Sequence, residues 1–127
     1  MDFGLTSEQE AIRDAIERIC SQFDDAYWLK RDKEGGFPQD FYDALAREGW
    51  LGICTAEAQG GSGLGIPEAA IMMRTIAESG AGMSGASAVH INIFGLKPVD
   101  VFGTEEQKNR MIRPMAEGRE KACFAVT

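Results

Sequence analysis

Ile12, Ile16, Ile19 and Phe23 recur at steps of four, three and four, the spacing that lays apolar side chains along one face of an α-helix. Just ahead of them, T-S-E-Q-E carries a helix start. Thr6 with Gln9, or Ser7 with Glu10, has the spacing at which a hydroxyl and a carboxyl or amide exchange hydrogen bonds with free backbone N–H groups. This helix is expected to run to about Asp24. A charged, Gly-rich break, L-K-R-D-K-E-G-G, follows it. F-P-Q-D then restarts a helix, because Pro38 has no N–H to lose in a first turn and Asp40 favours the positive end of the helix dipole. Phe41 and Leu45 share its apolar face. Gly49 before Trp50 fits a left-handed cap that ends it near Glu48.

The next stretch, L-G-I-C-T-A-E-A-Q-G-G-S-G-L-G, has the composition of a loop. A third helix is predicted from Ile66 or Pro67 through Ile71, Met72, Met73 and Ile76 towards Ser79, with Gly80 ending it. In the fourth, Met83 to Phe94, the small residues Ser84, Gly85, Ala86, Ser87 and Ala88 precede the apolar run V-H-I-N-I-F. Pro98 disfavours helical geometry at Lys97, so the helix is interrupted near Gly95, with room for a short helical piece before Gly103. Thr104 caps a fifth helix, with Gln107 at the reciprocal position and Glu105 and Glu106 in the first turn; Pro114 should kink or end it. From Ala122 onward, A-C-F-A-V-T reads as a β-strand with no second strand to pair with. The fold class expected is therefore all-α, a mostly antiparallel bundle of about five helices, followed by a segment severed where a β-domain would begin.

Composition narrows the function classes. At 127 residues the chain has the length of one domain, and its formal charge of -7, with no cluster of Lys and Arg, argues against a nucleic-acid partner. Cys20, Cys54 and Cys123 are odd in number and far apart, without C-x-x-C or nearby His, which supports neither a disulfide framework nor a metal site. A reducing compartment follows. No basic leader precedes an apolar run, and no stretch approaches the roughly 20 apolar residues of a membrane span, so the chain is expected to be cytoplasmic and not in a membrane.

Few motifs carry chemistry. G-G-S-G-L-G, Gly60 to Gly65, invites comparison with a dinucleotide-binding loop, but its glycines run G-x-G-x-G and T-A-E-A-Q separates them from any strand, so a helix-connecting turn is the better reading. The small residues of Met83 to Phe94 permit close helix packing, and equally leave room for a slender ligand. His90 is the sole histidine, and no Ser, Cys or Asp is spaced to form a triad with it. Met72, Met73, Met111 and Met115 suit a core. No pair of carboxylates suggests general acid–base work, so no catalytic residue is assigned.

Taken in order, F-P-Q-D-F-Y-D-A-L-A-R-E-G-W-L-G-I, G-G-S-G-L-G, F-G-T-E-E-Q-K with R-P-M-A-E-G, and K-A-C-F-A-V-T resemble the N-terminal part of an acyl-CoA dehydrogenase over essentially the whole chain. Ala56-Glu57 departs from the Pro-Glu that the family often shows there. The resemblance implies residues 1–118 as an N-terminal helical domain and 119–127 as the start of a middle β-domain. It implies FAD as cofactor, an acyl-CoA substrate, an electron acceptor as partner and a homo-oligomeric parent. Phe124, Val126 and Thr127 become the positions that approach the flavin ring, and Ala86, Ser87, His90 and Phe94, roughly one helical face, those that contact the acyl chain. In the family the catalytic base lies in a later domain, so this piece alone is expected neither to turn over nor to hold flavin firmly. The alternative is a non-enzymatic helical interaction module whose terminal strand adds to a partner's sheet edge.

Overall fold

Thr6 opens the first helix, α1 (Ser7–Cys20). Its hydroxyl accepts the Gln9 N–H at 3.2 Å, and the Gln9 side chain accepts the Thr6 N–H at 3.1 Å. The computed structural model describes residues 4–123 and residue 125. α1 buries Ile12, Ile16, Ile19 and Cys20, the face that the four-and-three spacing predicts. It stops at Cys20, short of the expected Asp24, because Asp24 is itself the cap of another helix.

That helix, α2 (Asp25–Glu34), occupies the stretch expected to be a break. The Asp24 carboxylate accepts the Tyr27 N–H at 2.9 Å, and Gly35, at φ 72°, ends the helix. Most of its charged residues are exposed, half-buried Arg31 approaches Glu34 to 3.6 Å, and Trp28 is its one buried residue.

α3 (Gln39–Arg47) follows Pro38, buries Phe41, Tyr42, Ala44 and Leu45, and gives way to Gly49 in the left-handed conformation at φ 81°. Two short 3₁₀ turns, Trp50–Gly52 and Glu57–Gln59, lead into α4 (Ile66–Ile76). A wide helical turn, Ala77–Ala81, bends the chain at Gly80 (φ 94°) into α5 (Gly82–Phe94). The short α6 (Lys97–Phe102) takes Pro98 in its first turn, and α7 (Glu105–Ala116) starts at Thr104, whose backbone N–H donates to Gln107 at 2.8 Å. Pro114 lies inside α7 without ending it at once; the helix continues to Ala116.

The five helices expected from the sequence are thus present, with α2 and the short α6 added, in an all-α bundle. α1 packs along α4, α3 bridges α1 and α5, and α7 closes over the 3₁₀ turns. The core joins Ile16 and Ile19 of α1, Phe41, Tyr42 and Leu45 of α3, Met72 and Ile76 of α4, Val89 of α5, and Leu51 and Ile53. Full burial of each such aliphatic side chain is worth about 1.5–3 kcal/mol. Phe23 and Trp28 meet Phe41 edge-on, with ring centroids at 5.4 and 5.1 Å, which ties α2 to the same core.

No strand is present among the described residues. Of the segment expected to be one, Ala122, Cys123 and Ala125 lie in neither helix nor strand, and Phe124, Val126 and Thr127 lie outside the described residues.

Candidate functional site

α5 presents two different sides. Gly85, Ala86, Ala88, Val89 and Asn92 are buried. A Cβ on Gly85 would stand 2.5 Å from Ala81 Cβ and 3.2 Å from both Ile76 Cγ2 and Trp28 Cη2, so the missing side chain lets α5 fold against the turn before it and lie close to α2 and α4. Close packing therefore explains part of the small-residue run. The other side carries Met83, Ser84, Ser87, His90 and Phe94, all exposed, with Met83 at 77% and Phe94 at 39%.

The four positions expected to contact an acyl chain divide between these sides. Ser87, His90 and Phe94 share the exposed stripe, and the His90 and Phe94 rings lie 4.6 Å apart at 54°. Ala86 is 6% exposed and belongs to the core, so it does not stand with them at the surface. The Ser87 hydroxyl donates to the Met83 carbonyl at 2.6 Å, which satisfies it within the helix.

Ser87 and Ala88 also form the floor of two adjoining grooves. One, of about 400 Å³, runs between α5 and the start of α3 and is walled by Trp28, Arg31, Phe37 and Pro38. The other, of about 230 Å³, is lined by Phe37, Tyr42, Ile91 and Asn92 together with Lys121, Ala122 and Cys123 of the terminal segment. The wall residues of α2 lie in a stretch whose charges and glycines resemble a break; the Asp24 cap three residues before Tyr27 is the sequence signal for the helix. Trp28 Nε1 and Arg31 Nε are buried with no hydrogen-bond partner among the described residues.

Beneath the grooves, Asn92 links three helices. Its Nδ2 donates to the Tyr42 hydroxyl and to the Met115 carbonyl, both at 3.2 Å. Burial raises the Tyr42 pKa above its ordinary value, and the hydrogen bond with Asn92 partly offsets this. The polar residue within V-H-I-N-I-F was the sequence sign of such a junction.

The glycine loop offers no phosphate cradle. The N–H groups of Gly60, Gly61, Ser62, Gly63 and Leu64 donate to the carbonyls of Glu57, Ala56, Gly52, Thr55 and Ile53 at 2.8–3.1 Å, and the Gly65 N–H donates to the Glu68 carboxylate at 3.1 Å. An anion would find every one of these donors occupied. The turn reading of G-G-S-G-L-G stands.

These features define a helical domain with an exposed stripe on α5 and a terminal segment lying beside it. The pattern that describes the family "Acyl-CoA dehydrogenase, N-terminal domain" matches residues 6–119, and the chain belongs to that family. It is 28% identical over 127 residues to benzylmalonyl-CoA dehydrogenase of Aromatoleum aromaticum, covering all of this chain and 33% of that protein. It is 30% identical over 129 aligned positions to the probable acyl-CoA dehydrogenase YngJ of Bacillus subtilis, again covering all of this chain and 33% of the relative. A chain solved in work on the electron transferring flavoprotein of Acidaminococcus fermentans, towards a mechanism of flavin-based electron bifurcation, superposes with a TM-score of 0.77 at 30% identity, covering 94% of this chain and 31% of that one. The chain thus spans about a third of the length of the curated relatives it matches. No helix among the described residues is long and apolar enough to cross a membrane.

Proposed function

We propose that the chain serves as the N-terminal helical domain of an FAD-dependent acyl-CoA dehydrogenase, with the exposed side of α5 forming one wall of the acyl and flavin pocket. The reaction is α,β-dehydrogenation of an acyl-CoA thioester. FAD, when bound, supplies the acceptor for the hydride that leaves the β-carbon. The observation that carries this reading is the family match over residues 6–119. It is supported by an exposed stripe, Ser87, His90 and Phe94, set beside two grooves whose walls combine apolar side chains such as Phe37 and Ala88 with polar ones.

The residues present suit part of such a ligand. Ala88, Ile91 and Phe37 offer apolar surface to an acyl chain or a flavin ring, whereas the occupied glycine loop does not suit a pyrophosphate. The chain's role is accordingly to shape and dry one side of the pocket. His90 and Phe94, their rings tilted 54° to one another at 4.6 Å, offer an aromatic edge to the pocket, and Ser87 contributes to its floor. Phe124, Val126 and Thr127 are the proposed flavin-side positions, reached through the segment that runs beside α5. No residue here is assigned a catalytic proton transfer; the base and the remaining FAD and CoA contacts are assigned to later domains of the parent. That parent is expected to work in the cytoplasm as a homo-oligomer that passes electrons to a separate acceptor.

The test is spectroscopic. Protein expressed from the whole reading frame that contains this chain is expected to purify with flavin absorbance that bleaches when an acyl-CoA is added. His90→Ala should raise the KM for acyl-CoA more than it lowers kcat, because a wall residue contributes binding rather than proton transfer. Protein that purifies without flavin and binds a folded partner through the segment after Lys121 would favour the interaction module instead.

A further inference from the structure

The terminal segment leaves α7 through a turn at Gly118 (φ 75°), where the Arg119 and Glu120 N–H groups donate to the Pro114 carbonyl at 2.9 and 3.2 Å. Lys121 then reaches back 82 positions to the start of α3. Its Nζ donates to the Gln39 side-chain carbonyl at 3.0 Å and lies 4.9 Å from the ring centroid of Phe37 and 4.9 Å from that of Tyr42. The two rings meet edge-on at 5.2 Å. Although the chain carries a net charge of -7, Lys121 has no carboxylate partner within 4.0 Å among the described residues. The ammonium is held by aromatic faces and one amide.

We propose that Lys121 is a positioning residue: an ammonium seated against Phe37 and Tyr42 that fixes the course of Ala122 and Cys123. Its consequence for the reaction rests on the reading above, in which that segment serves the flavin side of the pocket. Tyr42 makes a rigid seat, because it is wholly buried and its hydroxyl is held by Asn92. Phe37 forms the outer half, on the loop between α2 and α3 that also walls both grooves. Ala122 and Cys123 follow at once and line the smaller groove, so the seat sets the position of that groove's wall. An ammonium on a ring face is attracted by the ring quadrupole, and a conventional surface ion pair would be more strongly screened by salt.

Three measurements on the ligand-free chain test this. In proton NMR, the Lys121 ε-methylene resonances should be shifted upfield by the two rings, and Phe37→Leu should return them most of the way to ordinary values. Trypsin cleaves after Lys121 only when the segment detaches, so Phe37→Leu and Gln39→Ala should speed that cleavage about threefold to tenfold, while cleavage after Arg74 in α4 stays constant as the control for global unfolding. In Lys121→Met the amide resonances of Ala122, Cys123 and Ala125 should move towards unstructured values, and Lys121→Arg should restore them, since a guanidinium can occupy the same ring faces. Unshifted ε-methylene resonances, or a cleavage rate after Lys121 indifferent to both partner substitutions, would overturn the proposal. Because no ligand enters these experiments, a seated Lys121 in a protein that never responds to acyl-CoA or flavin would leave this inference standing and remove the functional reading on its own.

Discussion

Asn92 and Tyr42 should behave as one unit, and a double-mutant cycle measures whether they do. Both are buried, and Asn92 Nδ2 splits its two N–H groups between the Tyr42 hydroxyl and the Met115 carbonyl, each at 3.2 Å. Asn92→Leu removes both donors. The Met115 carbonyl keeps the Gly118 N–H at 3.0 Å, so the main loss falls on the Tyr42 hydroxyl, which is then buried without a partner at a cost of about 1–3 kcal/mol. A small void beside Asn92, about 20 Å³ and lined also by Ile93, Ile112 and Met115, gives the leucine room to settle. Tyr42→Phe removes the hydroxyl but leaves Asn92 bonded to Met115, at about 1 kcal/mol. In the double variant neither unpaired group remains, so its cost should fall below the sum of the single costs by roughly 1–2 kcal/mol. Chemical denaturation at neutral pH, followed by tryptophan fluorescence from Trp28 and Trp50, gives each value. For a chain of this size the coupling corresponds to a Tm difference of about 3–8 °C. Additivity within about 0.5 kcal/mol would refute the claim that this pair joins α3, α5 and α7.

Further outcomes follow from other parts of the fold. Gly61→Ala should destabilise the chain by about 3 kcal/mol in the same denaturation assay, because a methyl there would overlap the Thr55 and Gly52 carbonyl oxygens of the tightly folded loop. Thr104→Ala should cost about 1 kcal/mol by removing the cap of α7, whereas Thr104→Ser should cost much less. Burial raises the pKa of Cys20, partly offset by a hydrogen bond with Ser79, and raises that of Tyr42. The fold therefore favours the protonated forms. Their stabilisation is complete below the unfolded values of about 8.5 and about 10 and is lost as pH rises through the folded ones. The Tm should fall above about pH 9, and fall less steeply in the Cys20→Ala/Tyr42→Phe variant.

The elements legible in the sequence were those specified by neighbours three or four residues apart. Thr6 with Gln9, Thr104 with Gln107, and Gly49 each act through bonds or dihedrals within one turn, and each does what its spacing predicts. α2 escaped because it buries only Trp28, so its charges dominate the pattern and resemble a loop. Along α5, glycine, alanine and serine occur on both sides of the helix, and residues so alike in size and polarity cannot show which side is buried. That is why Ala86 was grouped with Ser87, His90 and Phe94 although it lies in the core. The Asn92 junction and the Lys121 seat join residues 50 and 82 positions apart, and no local rule reaches that far. The family resemblance, in contrast, rests on the order of several short segments, which survives where any one of them is weak.

The most direct test of the assigned role is to ask where an acyl chain lies. A benzophenone-bearing acyl-CoA, photolysed with protein from the whole reading frame and digested with trypsin, should label the peptide that follows Arg74 and carries α5, with adducts on the exposed positions Ser87, His90 and Phe94 and none on buried Ala86. Saturable labelling that is competed by unmodified acyl-CoA is the result expected. Saturable labelling that leaves this peptide untouched would mean that α5 is not a wall of the pocket.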